Sequence, residues 1–139
     1  MIHKVADIRD ITLETNKKRS IIIDVDGNKM VNKEVFFSFI SKELNFPDYF
    51  GKNWDALDEC LHDLEWLDIS VNQILIIVRN SDNILAEEKI SEKEILTSCL
   101  NDASDFWDGL NDEFGYKNLH PNLVFNVYYV EELSCSSSC

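Results

Sequence analysis

Three unbroken apolar runs constrain this chain more than any other feature: SIIIDV at residues 20–25, QILIIV at 73–78 and LVFNVYYV at 123–130. Short runs rich in β-branched and aromatic residues, without polar alternation, suit strands buried on both faces of a parallel sheet. Helical patterns separate them. Asn32 is placed to cap a helix reaching about Leu44, in which Val35, Phe36, Phe39 and Ile40 share a face while Phe37 falls off it. Ser91 and Glu94 read as an S-x-x-E capping box for a helix carrying Ile95, Cys99, Ala103, Phe106 and Leu110 at helical spacing, with Gly109 at its end. The order strand, two helices, strand, helix, strand predicts an α/β fold: a three-stranded parallel sheet packed with helices, joined by right-handed crossovers.

With 139 residues the chain has the length of one ordinary domain and needs neither disulfide nor metal to hold a core. The expected divisions are an N-terminal extension over 1–19, a domain over 20–133 and a Ser/Cys tail over 134–139. The extension has room for an extra strand, and ITLET, NKKR and SIIID could form a hairpin. No run approaches the roughly 20 apolar residues of a membrane span, and MIHKVADIRD lacks the apolar centre of a signal peptide, so the expected location is cytoplasmic. Of the four cysteines, Cys60 and Cys99 occupy apolar helical positions and read as core residues, while Cys135 and Cys139 lie in the tail SCSSSC. Their spacing is not that of a zinc site, and no cofactor is expected.

Charge narrows the class of partner. Thirteen Lys and Arg against 26 Asp and Glu leave a net charge of −13, which repels nucleic acid and anionic lipid. Five of the 26 acids fall within WDALDECLHDLEW, residues 54–66. Asn53 is a suitable N-cap for a helix there, and a rotation of about 100° per residue separates two faces. Trp54, Leu57, Cys60, Leu61 and Leu64 point into a core, whereas Asp55, Asp58, Glu59 and His62 fall on the opposite side at i, i+3, i+4, i+7. No Lys or Arg stands at i+4 to relieve the carboxylates. Upstream, Tyr49, Phe50 and Gly51 add aromatic area and a close backbone approach, the composition of an interface centre. His62 reads as an ion-pair partner rather than a catalyst, His3 as part of a mobile terminus and His120 as a loop residue. Trp66 and Trp107 read as helix-end or core aromatics.

The segment LNFPDYFGKNWDAL at 44–57, continued by Glu59, Cys60 and Leu61, closely resembles the signature of the barstar family of ribonuclease inhibitors, L-x-x-P-x-Y-Y/F-G-x-N-x-D-A-L followed by an acidic residue and C-L. Elsewhere the resemblance is architectural, over about residues 20–130. It implies a protein that is not an enzyme and that plugs the active site of a basic ribonuclease or toxin nuclease domain. Its carboxylates would stand where RNA phosphates sit. The family uses positions matching Tyr49, Gly51, Asn53, Asp55 and Glu59 at or beside its interface. This chain departs from the pattern where Glu59 replaces the family's aspartate and Asp58 stands at a position where tryptophan is common. A further acidic contact from the later helix would fall to Asp102 or Asp105. Such an inhibitor is expected to be monomeric when free.

Two other readings compete. The run IIIDVDGNK at 21–29 ends in D-x-D-G, the opening of haloacid-dehalogenase-like phosphohydrolases, with Asp24 as nucleophile and Asp26 as acid/base beside magnesium. Ser81 and the Glu131–Glu132 pair are the available companions, but no matching lysine or G-D element accompanies them. The simpler reading is a turn, with Gly27 supplying a positive φ. Alternatively, the acidic helix serves an interaction module for some other basic protein.

Overall fold

The computed structural model describes residues 2–11, 19–48, 50–68, 70–110 and 123–131. The three apolar runs form strands and a fourth strand joins them: β1 (Ile2–Val5), β2 (Ser20–Asp26), β3 (Gln73–Arg79) and β4 (Val124–Val130). All neighbours are parallel, in the order β1-β4-β3-β2. The sheet therefore has four strands, not three. The added strand, IHKV, lies within the stretch expected to be an extension, and pairs Ile2 with Val127 through Val5 with Val130. His3 stacks on Tyr128 at 4.9 Å between ring centroids, so the expectation of a mobile terminus fails at that residue. Residues 12–18 of the suggested hairpin, His120, Glu132 and the tail with Cys135 and Cys139 lie outside the described residues.

Burial follows strand position. β3, paired on both sides, is buried from Gln73 to Val78. β2 is an edge, and its alternate residues Ile22 and Asp24 are exposed, contrary to the expectation that every run is covered on both faces. Ile23, Val25, Ile74, Ile76, Val78, Phe125, Val127 and Tyr129 form one core with three helices. The other sheet face carries a smaller cluster of Leu75, Ile77, Tyr128 and Val130.

The helices are α1 (Lys33–Glu43), α2 (Trp54–Asp63) and α3 (Ile90–Asp105). Asn32 caps α1 as its sequence suggests, accepting from the Val35 N–H at 3.0 Å. Its core face is turned from the expected one: Phe36, Phe37 and Ile40 are buried, while Val35 is 40% exposed. The reason lies downstream, where Phe50 and Trp54 cover the side of the helix on which Phe37 stands. At the other end Asn45 adopts φ 53°, and the Phe46 N–H reaches back to the Ser41 carbonyl at 2.8 Å. This left-handed stop satisfies free helix carbonyls and turns the chain toward the loop before α2.

α3 begins at Ile90, one residue before the expected Ser91 cap, and its N-cap position, Lys89, makes no side-chain capping bond. The capping box is not formed. Leu96, Cys99, Leu100 and Ala103 make the core face, followed by Phe106 and Trp107, whereas Ile95 is exposed. After Asp105 the backbone widens into a π-helical turn, Phe106–Leu110. Trp107 is fully buried and its indole N–H donates to the Leu61 carbonyl at 2.8 Å, tying α3 to α2.

Candidate protein-docking site

Of the three described helices, α2 separates its apolar and polar faces most sharply. Asn53 Oδ1 accepts from the Ala56 N–H at 2.8 Å, meeting one of the free donors of the first turn, while Lys52 at φ 54° turns the loop into that cap. Leu57, Cys60 and Leu61 are buried, and the helix stops at Leu64, a fully buried side chain on a left-handed backbone of φ 54°. Asp55 and Glu59 are exposed on the opposite face, while Asp58 and His62 are half-buried. His62 Nδ1 lies 2.8 Å from the Asp58 carbonyl oxygen and 3.6 Å from its carboxylate, and the imidazole meets the Phe106 ring edge-on at 4.7 Å. Asp55 and Glu59 have no hydrogen bond or ion pair among the described residues.

Sequence spacing did not bring out what surrounds this stripe. α3 runs beside α2, and a trough of about 470 Å³ between them has Asp55 and Asp58 on one wall and Glu94 and Asp102 on the other, with Ile95 between. A smaller hollow of about 150 Å³ on the other flank joins Glu59 and Asp63 to Phe50, Ala56 and Cys60. No Lys or Arg lines either depression among the described residues. Of the two candidate later acids, Asp102 is exposed in the trough, while Asp105 is half-buried and engaged elsewhere. A helix spacing could have suggested Glu94 and Asp102, which are eight apart, but nothing local says that α3 lies against α2.

The approach loop is held by rings. Phe46 meets Phe50 at 4.9 Å and Trp66 at 5.8 Å, Phe50 meets Phe37 at 6.0 Å, and Phe37 meets Trp54 at 4.8 Å, each tilted or edge-on. The Trp66 indole donates to the Leu44 carbonyl at 2.9 Å. Phe50 is therefore partly committed to the fold. Gly51 is exposed, and a β-carbon there would sit 3.2 Å from Asn53 Nδ2, close enough to press on the cap. Tyr49 lies outside the described residues. Behind the stripe, burial pushes the Cys60 thiol up to about 11, and Asp63 and Glu59 add to the shift. Cys99 is likewise raised to about 11, mainly by burial.

The competing carboxylates, Asp24 and Asp26, sit at the end of β2 in a different setting. Arg79 Nε donates to Asp24 Oδ1 at 2.7 Å, and Asp26 Oδ1 accepts from the Asn28 N–H at 3.0 Å and from Asn80 Nδ2 at 3.3 Å. Ser81 Oγ points to the Val130 carbonyl at 3.4 Å. This is a fastened turn. Its glycine is needed for space rather than for a positive φ: a β-carbon on Gly27 would strike the Asn80 carbonyl oxygen and lie 2.7 Å from that of Arg79. Asn80 carries the left-handed φ of 53° instead.

The family model for Barstar (barnase inhibitor) matches residues 21–118, from β2 through all three helices. The chain belongs to the Barstar family. A protein of Bacillus subtilis (strain 168) named "Putative ribonuclease inhibitor YrdF" is 32% identical over 87 residues, 63% of this chain and 91% of that protein. Barstar-family proteins are inhibitors and not enzymes, which removes the phosphohydrolase reading of Asp24 and Asp26. Among the described residues no helix is long and apolar enough to cross a membrane.

Proposed function

We propose that the protein inhibits a small basic ribonuclease by laying the exposed face of α2, with the loop before it, across the nuclease's phosphate-binding cleft. The supporting observation is the pair Asp55 and Glu59, one helical turn apart and without a hydrogen-bond or ion-pair partner among the described residues, on a helix whose other side is core. A ribonuclease cleft is cationic because it holds phosphates, so fixed carboxylates meet it with complementary charge. Asp58, His62, Gly51 and Asn53 border the contact, with Tyr49 and Phe50 as its aromatic part. Asp102 adds a carboxylate from α3 across the trough. Glu59 is one methylene longer than the aspartate usual in the family, so its carboxylate reaches farther from the α2 backbone toward the target. The free protein acts as a monomer in the cytoplasm and touches no RNA itself.

The test is titration into an RNA-cleavage assay, with barnase and then other small basic ribonucleases as targets. Cleavage should fall stoichiometrically with the parent protein and recover with Glu59→Ala. If the protein binds such an enzyme yet leaves RNA cleavage intact, it is an acidic docking module and not an inhibitor.

A further inference from the structure

We infer that Glu92 of α3 is a positioning residue for the recognition face: its Oε1 ties the first residue of α2 to the first residue of α1, and so fixes the entry of the acidic helix. The inference rests on the inhibitory reading, although the tie itself is independent of it. Trp54 opens α2 immediately before Asp55, and its indole N–H donates to Glu92 Oε1 at 2.7 Å across 38 residues of sequence. Lys33 opens α1, and its Nζ donates to the same oxygen at 3.1 Å. The Lys33 backbone N–H also donates to Glu88 Oε2 at 3.0 Å, so two acids near the start of α3 hold the start of α1.

A carboxylate oxygen, with lone pairs to spare and a negative charge, can accept from an indole and an ammonium together. The Glu92 side chain is 21% exposed and the Lys33 side chain 40%, so the acceptor is partly covered while the ammonium stays open to water. Its carboxyl is held below the ordinary value of 4.5, first by the Trp54 hydrogen bond and then by Lys33. The orientation of Trp54 reaches further than its own residue. Its ring rests edge-on against Phe37, which meets Phe50, which meets Phe46, so the same anchor bears on the loop ahead of Asn53. Loosening it would oblige the partner to order loop and helix entry on binding, a cost that appears as lost affinity.

The experiment compares Glu92→Ala, Glu92→Gln and Trp54→Phe in the full chain, with barnase as the probe and affinity measured well below each melting transition. In the free protein, solvent exchange of the Trp54 indole proton is followed by NMR. Glu92→Ala should speed that exchange and weaken barnase binding about tenfold, the scale of one lost charge-assisted bond. Trp54→Phe, which keeps a ring against Phe37, should lose a similar amount, and the double variant should lose little more. Glu92→Gln keeps a neutral acceptor for the indole and should recover most of the affinity. If Gln is as poor as Ala, the effect is long-range charge and the inference is overturned. It is also overturned if Glu92→Ala binds like the parent while its melting point falls, which marks a contact serving the fold alone, or if the indole exchanges equally fast in parent and variant. A parent that keeps a protected indole yet fails to bind barnase removes the inhibitory reading for that enzyme, and the positioning role with it, leaving only the tie.

Discussion

Two groups of carboxylates, Asp24 with Asp26 and Asp55 with Glu59, differ in what the fold does with their charge. At the end of β2, Arg79, Asn80 and the Asn28 N–H answer the acids, and the Arg79 and Asn80 carbonyls pass so close to Gly27 that a β-carbon there would clash. On α2 the acids receive nothing from the described residues, and the carboxylates lining the same depressions, Glu94 and Asp102 with Asp55, and Asp63 with Glu59, carry the same sign. A motif of acids beside a glycine is thus poor evidence of chemistry until its partners are counted. Paired acids hold a turn in place, whereas unpaired acids on a rigid element store unrelieved repulsion that an outside cation can discharge.

The contrast can be broken in order of expected effect. Leu61→Ala tests whether the buried side of α2 serves only the fold: truncating this fully buried side chain should cost ~2–5 kcal/mol of stability. Ribonuclease binding by the folded fraction should be unchanged, as read by paired thermal melts and titrations. Glu59→Ala should do the reverse. Loss of the carboxylate leaves nuclease cations buried and unpaired, at ~2 kcal/mol or more of binding, a range to which the barnase–barstar complex itself contributes. Stability should move by less than ~0.5 kcal/mol, because the residue is exposed on a helix and alanine suits one. Normal binding by a folded Glu59→Ala protein would show that α2 is not the inhibitory surface.

Salt sharpens the comparison at the next level. Association with a basic ribonuclease should slow by roughly tenfold between low and high salt, since screening acts beyond about 10 Å at 0.1 M ionic strength, while dissociation changes much less. A stopped-flow series that finds association indifferent to salt would remove the electrostatic part of the mechanism. The smallest effect belongs to the turn. Asp24→Asn breaks the Arg79 pair, but Asp24 is 57% exposed, so the loss should stay below ~1 kcal/mol in a chemical melt, with ribonuclease binding unaltered. A binding defect there would mean that the two acid groups are not separate.

Much of this was legible locally. The strands β2, β3 and β4 declare themselves by β-branched runs, and Asn32 and Asn53 cap α1 and α2 as their positions suggest. The two faces of α2 follow from spacing because each turn repeats the same division. Readings failed where another element decides. Phe37 is buried because Phe50 and Trp54 reach over it, and α3 starts ahead of Ser91 with its bonds to α1 and α2 made by Glu92. IHKV is too short and too polar to announce a strand until β4 offers an edge. The trough joining Asp55 to Asp102 is a tertiary product that neither helix encodes alone.

The strand order carries a consequence for synthesis. β4, made after the other three strands, is seated between β1 and β3 rather than added at an edge. While the ribosome is still at work on the intervening residues, β3 (QILIIVR) can pair with β2 but leaves its other edge open as an apolar template, and β1 has no strand beside it, only its contact with α3 through the Ile2 N–H and Asn101. The sheet is therefore completed by a late wedge, through contacts as distant as Ile2 with Val127. Such long-range closure is slow, and it exposes sticky strand edges in the meantime. The time spent awaiting that last strand sets the earliest moment at which the sheet, and the face of α2 packed against it, can exist.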